Sequence, residues 1–270
     1  MNNYLKKLAG ILFAAAMVMA SHAAFAQQRD ILKEVLDRGT IRIATTSDLP
    51  PYSMLGANGD LEGYDVDMGK MIAEELGVKP EFLVVDAAGR ITALQTGKAD
   101  ITIQDFTSNF KRSQVISFTD PYMVVGLVFF TLAKRDDIKT VEDLNKESMK
   151  VGFGRGSTQE TLVPEAAPKT TIVKFAGMAD TMEALDSGRI DGTALDNIGT
   201  SGILAAAPGK YKVLPGRYSR EDIAIGLPRG DFEWWRLMNM WMRDFNLSGK
   251  NDALYKKWFK ADRPKIFGEY

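Results

Sequence analysis

The sequence predicts an α/β fold made of two lobes with the same plan. Short apolar runs alternate along the chain with segments of helical periodicity, and the connections between them are short. Two octapeptides, ALQTGKAD at 93–100 and ALDSGRID at 184–191, share one pattern: a helix end, a glycine C-cap and an Asp that enters a strand. Such junctions also recur within single α/β domains, but their matched order here favours two lobes with largely parallel sheets.

The predicted elements follow in chain order. The strand-like runs are 41–45, 81–85, 101–104, 125–132, 151–153, 171–175, 192–195 and 223–227. Helical segments include 65–76, 89–96, 158–163 and 179–186, and a Met and Trp stripe after residue 231 predicts a core helix tied to the first lobe. Ligands of α/β folds bind beyond the carboxyl ends of strands. Asp105 and Asp196, five residues after each octapeptide, are therefore predicted to face one cleft.

The first 26 residues are typical of a signal peptide. Lys6 and Lys7 precede an apolar run at 8–20, and Ala24-Phe25-Ala26 forms a cleavage site, so we expect cleavage after Ala26 and export. The apolar run is shorter than the about 20 residues that span a bilayer, which disfavours the alternative of a membrane anchor.

Composition excludes several kinds of site. The chain has 270 residues, 34 Lys and Arg, 35 Asp and Glu, one His and no Cys, and cleavage would remove Lys6, Lys7 and His22. The mature chain would then lack any Ser-His-Asp or Cys-His nucleophile and any zinc site of the usual nitrogen and sulfur type. Its mild acidity argues against nucleic acid as a partner. We expect no cofactor and no metal.

Seven ordered segments carry a resemblance to a known family. They are IRIATTSDLPPYSM (41–54), GYDVDMGKMIAEELG (63–77), ALQTGKAD (93–100), KRSQVISFTDPY (111–122), VGFGRGSTQE (151–160), GRIDGTALD (188–196) and YKKWF (255–259). Over essentially the whole mature chain, the sequence resembles the periplasmic amino-acid-binding proteins of ABC importers, bacterial solute-binding protein family 3.

The resemblance implies a type II periplasmic-binding-protein-like fold, with two hinge strands and a ligand cleft between the lobes. Lobe 1 would comprise 27–130 and 226–270, lobe 2 would comprise 131–225, and the chain would cross within 129–133 and 223–228. It also implies a periplasmic location, an amino acid as ligand and a membrane permease as partner. A monomer is the default expectation.

Both charges of a free amino acid have predicted partners. A guanidinium suits bidentate capture of a carboxylate, and the resemblance assigns the ligand's α-carboxylate to Arg112, Thr107 and Thr158. Ser157, spaced from Glu160 as in a capping box, belongs to the same helix N-terminus, which attracts anions. The resemblance gives the α-ammonium to Asp196, which could instead, or in addition, cap the following helix.

The side-chain pocket departs from the familiar binders of cationic amino acids. Two aromatic residues that hold the ligand's aliphatic stem in those proteins are matched here by Leu49 and Ala87, and their acidic residue for the distal cation is matched by Thr46. These differences speak against a lysine or arginine binder of that kind.

The remaining pocket residues leave the ligand open. Asp105 favours a ligand tip with a donor or a cation, Arg90 favours an acidic tip, and the two could instead pair with each other. Tyr52 is expected near the mouth, with Asp48, and Phe106 completes the predicted site.

The predicted function is therefore capture of a polar L-α-amino acid between closing lobes for delivery to an ABC permease. One alternative is a periplasmic, dehydratase-like enzyme on the same fold, with Asp105 as general acid. Another is a binding protein that feeds a sensor, which differs only in its partner.

Overall fold

The computed structural model describes residues 29–266. The predicted signal peptide and its cleavage site after Ala26 lie outside the described residues. Within residues 29–266 no helix is both long enough and apolar enough to cross a membrane.

The first part of the chain builds one lobe and leads into the second. Its elements are α1 Ile31–Arg38, β1 Thr40–Thr45, β2 Asp48–Leu49, β3 Ser53–Leu55, β4 Leu61–Glu62, α2 Tyr64–Glu75, β5 Lys79–Val84, α3 Gly89–Gln95, β6 Ile101–Thr102, β7 Thr107–Ser108, α4 Phe110–Ser113, β8 Ser117–Phe118 and β9 Met123–Val125.

The second lobe and the return to the first follow. Their elements are β10 Leu127–Leu132, α5 Val141–Leu144, β11 Lys150–Gly154, α6 Gln159–Ala166, β12 Thr171–Phe175, α7 Met178–Asp186, β13 Gly192–Asp196, α8 Asn197–Ala206, β14 Tyr211–Val213, β15 Glu221–Ile223, β16 Gly226–Leu227, α9 Phe232–Leu247 and α10 Lys250–Phe259.

The two lobes contain five-stranded sheets of the same topology. The first sheet has the order β5-β1-β6-β16-β8 and the second has the order β12-β11-β13-β10-β14. In each sheet the first three strands are parallel and the last two are antiparallel to their neighbours. The prediction of largely parallel sheets was therefore only half right. The fourth strand of each sheet arrives from the other lobe through the hinge and runs in the opposite direction.

The hinge contains a small sheet of its own, in the order β7-β15-β9. The predicted strand at 125–132 is in fact two strands separated by Gly126, where a Cβ would overlap the carbonyl of Ser219. Strand β10 pairs with the second sheet from Leu127 onward. Pairing with the second sheet thus begins two residues before the predicted 129–133 segment. The predicted strand at 223–227 is likewise broken, at residues 224–225.

The lobe boundaries, with 27–130 and 226–270 in lobe 1 and 131–225 in lobe 2, remain our proposal. A further three-stranded sheet of β2, β3 and β4 lies beside the first lobe. The sequence analysis did not predict these short strands or those of the hinge sheet.

The two octapeptides perform the same structural task in each lobe. Gly97 and Gly188 have positive φ, +67° and +72°, and so end α3 and α7. Asp100 then accepts a 2.8 Å hydrogen bond from the backbone N–H of Arg42 on the neighbouring strand β1. Asp191 accepts a 2.8 Å bond from the N–H of Lys150 at the start of β11. The equivalent junctions lead into β6 and β13, and so towards Asp105 and Asp196.

Helix α9 ties the C-terminal part of the chain to the first lobe, as the Met and Trp stripe predicted. Trp234, Met238 and Met242 lie on one helical face and are buried. The Trp234 indole donates to the carbonyl of Asp100, at 3.2 Å, and Asp231 accepts from the N–H of Ile31, at 2.8 Å.

Candidate functional site

A cavity of about 380 Å³ lies between the lobes. Its volume is within the usual range of small-molecule sites. Of the predicted site residues, nine line the cavity: Thr46, Leu49, Arg90, Asp105, Thr107, Arg112, Ser157, Thr158 and Asp196. Tyr52 and Phe106 lie immediately behind the lining side chains that they support.

The two lobes are in contact across the cavity. The Asp48 carboxylate accepts from the N–H of Met178, at 2.7 Å, at the start of α7. The Arg112 guanidinium donates to the carbonyl of Gly156, at 2.9 Å. The structure is therefore a closed form, in which residues of both lobes face the same space.

Arg112 presents a buried positive charge to the cavity. The Asn109 side chain accepts from the Arg112 N–H and fixes the start of α4, and Nη1 donates to the Thr107 carbonyl at 2.7 Å. Burial lowers the pKa of Arg112 to about 10, although the carboxylates of Glu221 and Asp105 oppose that shift. Within residues 29–266 no carboxylate oxygen lies within 4.0 Å of this guanidinium. A ligand carboxylate could supply the missing counter-charge.

Asp196 combines a helix cap with a free oxygen. Its Oδ1 accepts from the N–H groups of Ile198 and Gly199, at 2.9 Å each, and so caps α8. Its Oδ2 is buried and has no hydrogen-bond partner. Burial raises the pKa of Asp196, while these hydrogen bonds oppose the rise. Asp196 lines the cavity, and an ammonium group bound there could supply a partner for this oxygen.

Tyr52 holds the Asp196 carboxylate from the core side. Its hydroxyl donates to Asp196 Oδ1 at 2.8 Å, and the residue is fully buried. The expectation that Tyr52 lies near the mouth was therefore wrong, because the ring packs among apolar core residues.

Asp105 adopts an unusual backbone conformation. Its φ is 37°, a region that side-chain-bearing residues rarely occupy, and its N–H donates to Asp65 Oδ2 at 2.8 Å. Its Oδ1 is buried without a partner. Burial, and then the nearby charge of Asp196, raise the pKa of Asp105 well above its ordinary value. Strain and an unsatisfied acceptor together at a cavity wall are typical of functional positions.

Arg90 is buried among neutral partners. It donates to the carbonyls of Ala87 and Gln104, both at 2.9 Å, and to the Gln104 side-chain oxygen at 2.6 Å. Burial, then the charge of Arg112, lower its pKa to about 9. Arg90 forms no ion pair within 4.0 Å in the described part of the chain, so the possible pairing with Asp105 is not formed.

Phe106 supports both arginines. The guanidinium carbons of Arg90 and Arg112 lie 4.4 Å and 4.6 Å from the centre of its ring. The ring therefore holds the two cations without neutralising them.

The capping box predicted from Ser157 and Glu160 is not formed. Ser157 donates its hydroxyl to the Gly154 carbonyl at 2.6 Å, and Glu160 accepts from the Gly156 N–H at 3.0 Å. Helix α6 begins only at Gln159, so the predicted pair is displaced from its cap positions.

Two acidic residues near the site were missed. Glu221 on β15 accepts from the hydroxyls of Thr107, at 2.9 Å, and Thr158, at 2.6 Å. Asp65 on α2 accepts from Asp105, and burial raises its pKa to about 7. Asp65 lies in a segment that carries the family resemblance, whereas no local pattern marks Glu221.

The pocket wall lacks the features of an aromatic sandwich. Leu49 and Ala87 line it, Thr46 offers a buried hydroxyl without a partner, and no aromatic side chain lines the cavity in the described range. Within residues 29–266 no group of three or more His, Cys, Asp or Glu side chains is arranged to hold a metal ion.

Comparison with known proteins agrees with this architecture. The model of the bacterial extracellular solute-binding proteins, family 3, matches residues 41–261. The chain belongs to this family.

Curated relatives match over nearly their full length. The L-cystine-binding protein TcyJ of Escherichia coli (strain K12) is 26% identical over 261 residues, 96% of each chain. The ABC transporter glutamine-binding protein GlnH of Bacillus subtilis (strain 168) is 29% identical over 258 residues, 93% of each chain.

Solved structures of amino-acid-binding proteins share the fold. The ancestral amino acid-binding protein AncCDT-1, described as a precursor of cyclohexadienyl dehydratase, has 35% identity and a TM-score of 0.79, with 85% of this chain and all of that chain covered. A solute receptor for L-cysteine of Neisseria gonorrhoeae has 28% identity and a TM-score of 0.79, with 84% and 92% covered. This family-3 protein thus has the two-lobed, mixed α/β fold of the type II periplasmic binding proteins.

Proposed function

We propose that this family-3 protein closes on a free polar L-α-amino acid and delivers it to the permease of an ABC importer. The observation that carries the proposal is that Arg112 and Asp196 line the same cavity. The two side chains come from opposite lobes, have opposite charges and line one cavity, and Asp196 Oδ2 has no hydrogen-bond partner. A zwitterionic amino acid would satisfy both.

Arg90 and Asp105, which also line the cavity, favour a polar ligand tip. Arg90 brings donors and Asp105 Oδ1 is a free acceptor, and the two are not paired with each other. An amide or a second amino-acid group carries both an acceptor and a donor, so it would serve both residues. The glutamine and cystine named for two relatives have such tips.

Delivery to a permease and a periplasmic location rest on relatives and on the signal peptide. The B. subtilis relative is named as part of an ABC transporter, and an E. coli relative is named as a periplasmic lysine/arginine/ornithine-binding protein. The leader sequence at 1–26 supports export of this chain by the same route.

A second candidate is an enzyme of the dehydratase type. Asp105 is its proposed general acid, because the residue lines the cavity and burial raises the pKa of its carboxyl well above the ordinary value. The description of AncCDT-1 as a dehydratase precursor adds support. Chromatography of the ligand after incubation separates the two candidates: a binder returns it unchanged, and an enzyme returns a product.

The binding proposal is tested by thermal unfolding of refolded, ligand-stripped protein with the standard L-amino acids and L-cystine. Ligand at about 1,000 times its Kd adds about 4 kcal/mol to the free energy of unfolding. In a chain of this length the midpoint should rise by roughly 8 to 16 °C. Arg112→Ala should abolish the shift, and Arg243→Ala, an exposed arginine on α9, should retain it. No shift with any amino acid would contradict the proposal.

A further inference from the structure

Glu221 lies on the middle strand of the hinge sheet, with its carboxylate at the cavity wall. The residue is 7% exposed. Its Oε2 accepts from Thr107 Oγ1 at 2.9 Å and from Thr158 Oγ1 at 2.6 Å, and its Oε1 accepts from Ser219 Oγ at 2.8 Å. One acidic side chain thus joins the first lobe, the second lobe and the hinge.

The two threonine hydroxyls are those proposed to hold the ligand's α-carboxylate. A hydroxyl has only one proton to donate, and both protons are directed at Glu221 Oε2. In the closed form, therefore, neither hydroxyl can donate to a ligand carboxylate unless Glu221 releases it.

The charge of Glu221 also acts on the neighbouring charged residues, including Arg112 and Asp196, which together form the proposed clamp for the two charges of the ligand. It opposes the lowering of the Arg112 pKa by burial, and it contributes to the raised pKa of Asp105 and of Asp196. Yet Glu221 forms no ion pair with Arg112 within 4.0 Å. Its carboxylate thus lies at the clamp, in the space between the hydroxyls, and leaves the guanidinium available to a ligand.

We propose that Glu221 is a tethered competitor for the carboxylate subsite, occupying the two threonine hydroxyls until an amino-acid carboxylate displaces it. The proposal rests on the proposed function. Displacement leaves Glu221 with Ser219 as its hydrogen-bond partner and brings a second carboxylate close to it, and both effects weaken binding. Glu221 therefore reduces the affinity of the site and bridges the lobes when no amino acid is present.

The test is calorimetric titration of wild type and Glu221→Gln with the amino acid that gives the largest thermal shift. A neutral amide is a weaker acceptor and does not repel the ligand carboxylate, so Kd should fall by about tenfold or more. Combining Glu221→Gln with Thr158→Val should remove that gain. Glu147→Gln, an exposed residue of the second lobe, is the matched control and should leave Kd unchanged.

Glu221→Ala, which makes no bond to either hydroxyl, should change Kd in the same direction and guards against misfolding of the first variant. If wild type binds the amino acid and both variants bind it equally well or more weakly, the role proposed for Glu221 is overturned, and the proposed function is not. Tighter binding by both variants than by wild type would support that role. No binding by wild type or variants would overturn the proposed function and this inference with it.

Discussion

At the scale of single residues, Asp196 shows how one carboxylate can serve the fold and a ligand together. One oxygen accepts from Tyr52 and from two N–H groups of α8, and the other has no partner. The two oxygens can therefore be tested separately, because an Asn side chain keeps a cap acceptor but lacks the charge.

Asp196→Asn should weaken amino-acid binding by about 100-fold or more, since it removes the partner of a buried ammonium. The unfolding midpoint of the ligand-free variant should be no lower than that of wild type. Calorimetry and thermal unfolding measure the two effects. Asp30→Asn, at the exposed N-cap of α1, is the control and should bind normally. Full affinity in Asp196→Asn would refute the assignment of the ammonium.

At the scale of elements, closure depends on a close approach between the loop before α6 and the start of α3. Gly156 has φ of +78°, and a Cβ there would lie 2.6 Å from the Ala88 Cα in the opposite lobe. Gly209 has the same φ, but a Cβ there would meet nothing within 4 Å. Substitution of each glycine by Ala therefore distinguishes the effect of backbone strain from the effect of a clash between lobes.

Gly156→Ala and Gly209→Ala should each lower the free energy of unfolding by about 1 to 2 kcal/mol, the typical effect of positive φ on an Ala. Only Gly156→Ala should also bind the ligand more weakly, by about tenfold or more, because the added Cβ would clash with Ala88 in the closed form. Titration of both variants checks this. Equal affinities would show that the closed contact is not needed for binding.

The sequence predicted the elements that have local signals and missed those that depend on distant partners. The octapeptides marked equivalent helix ends because glycine and Asp act locally there. The break at Gly126 and the strands of the hinge sheet could not be predicted, because pairing across the hinge decides them. Glu221 was missed for the same reason, since its threonine partners are 114 and 63 residues away in the chain. Asp105 and Arg90 were identified, but only tertiary contacts could show that they do not pair.

At the scale of the whole molecule, the closed cleft concentrates buried charge. Asp105, Asp196, Glu221, Arg90 and Arg112 all line one cavity, and the Asp105 N–H donates to Asp65. Such a cluster should make stability depend on pH.

Burial raises the pKa of Asp65 from 3.8 to about 7, although the hydrogen bonds from the Asp105 N–H and from the Tyr122 hydroxyl oppose the rise. The folded chain therefore holds a proton that the unfolded chain releases. The contribution of Asp65 to stability is fully present below about pH 4 and is lost as the pH rises to about 7.

Between these pH values, Asp65 should cost ligand-free wild type on the order of 4 kcal/mol in its free energy of unfolding. Asp65→Asn should not show this loss. Denaturant unfolding of wild type and variant from pH 4 to pH 7 measures the difference. Parallel pH profiles would contradict the assignment.

Simultaneous capture of both ligand charges is tested most directly by titrating wild-type protein with three compounds. They are the amino acid identified by thermal unfolding, the amine left by its decarboxylation, and the acid left by removal of its amino group. The Arg112 and Asp196 clamp predicts that each analogue binds about 100-fold or more weakly than the intact amino acid. Binding of either analogue as tightly as the amino acid would contradict the clamp.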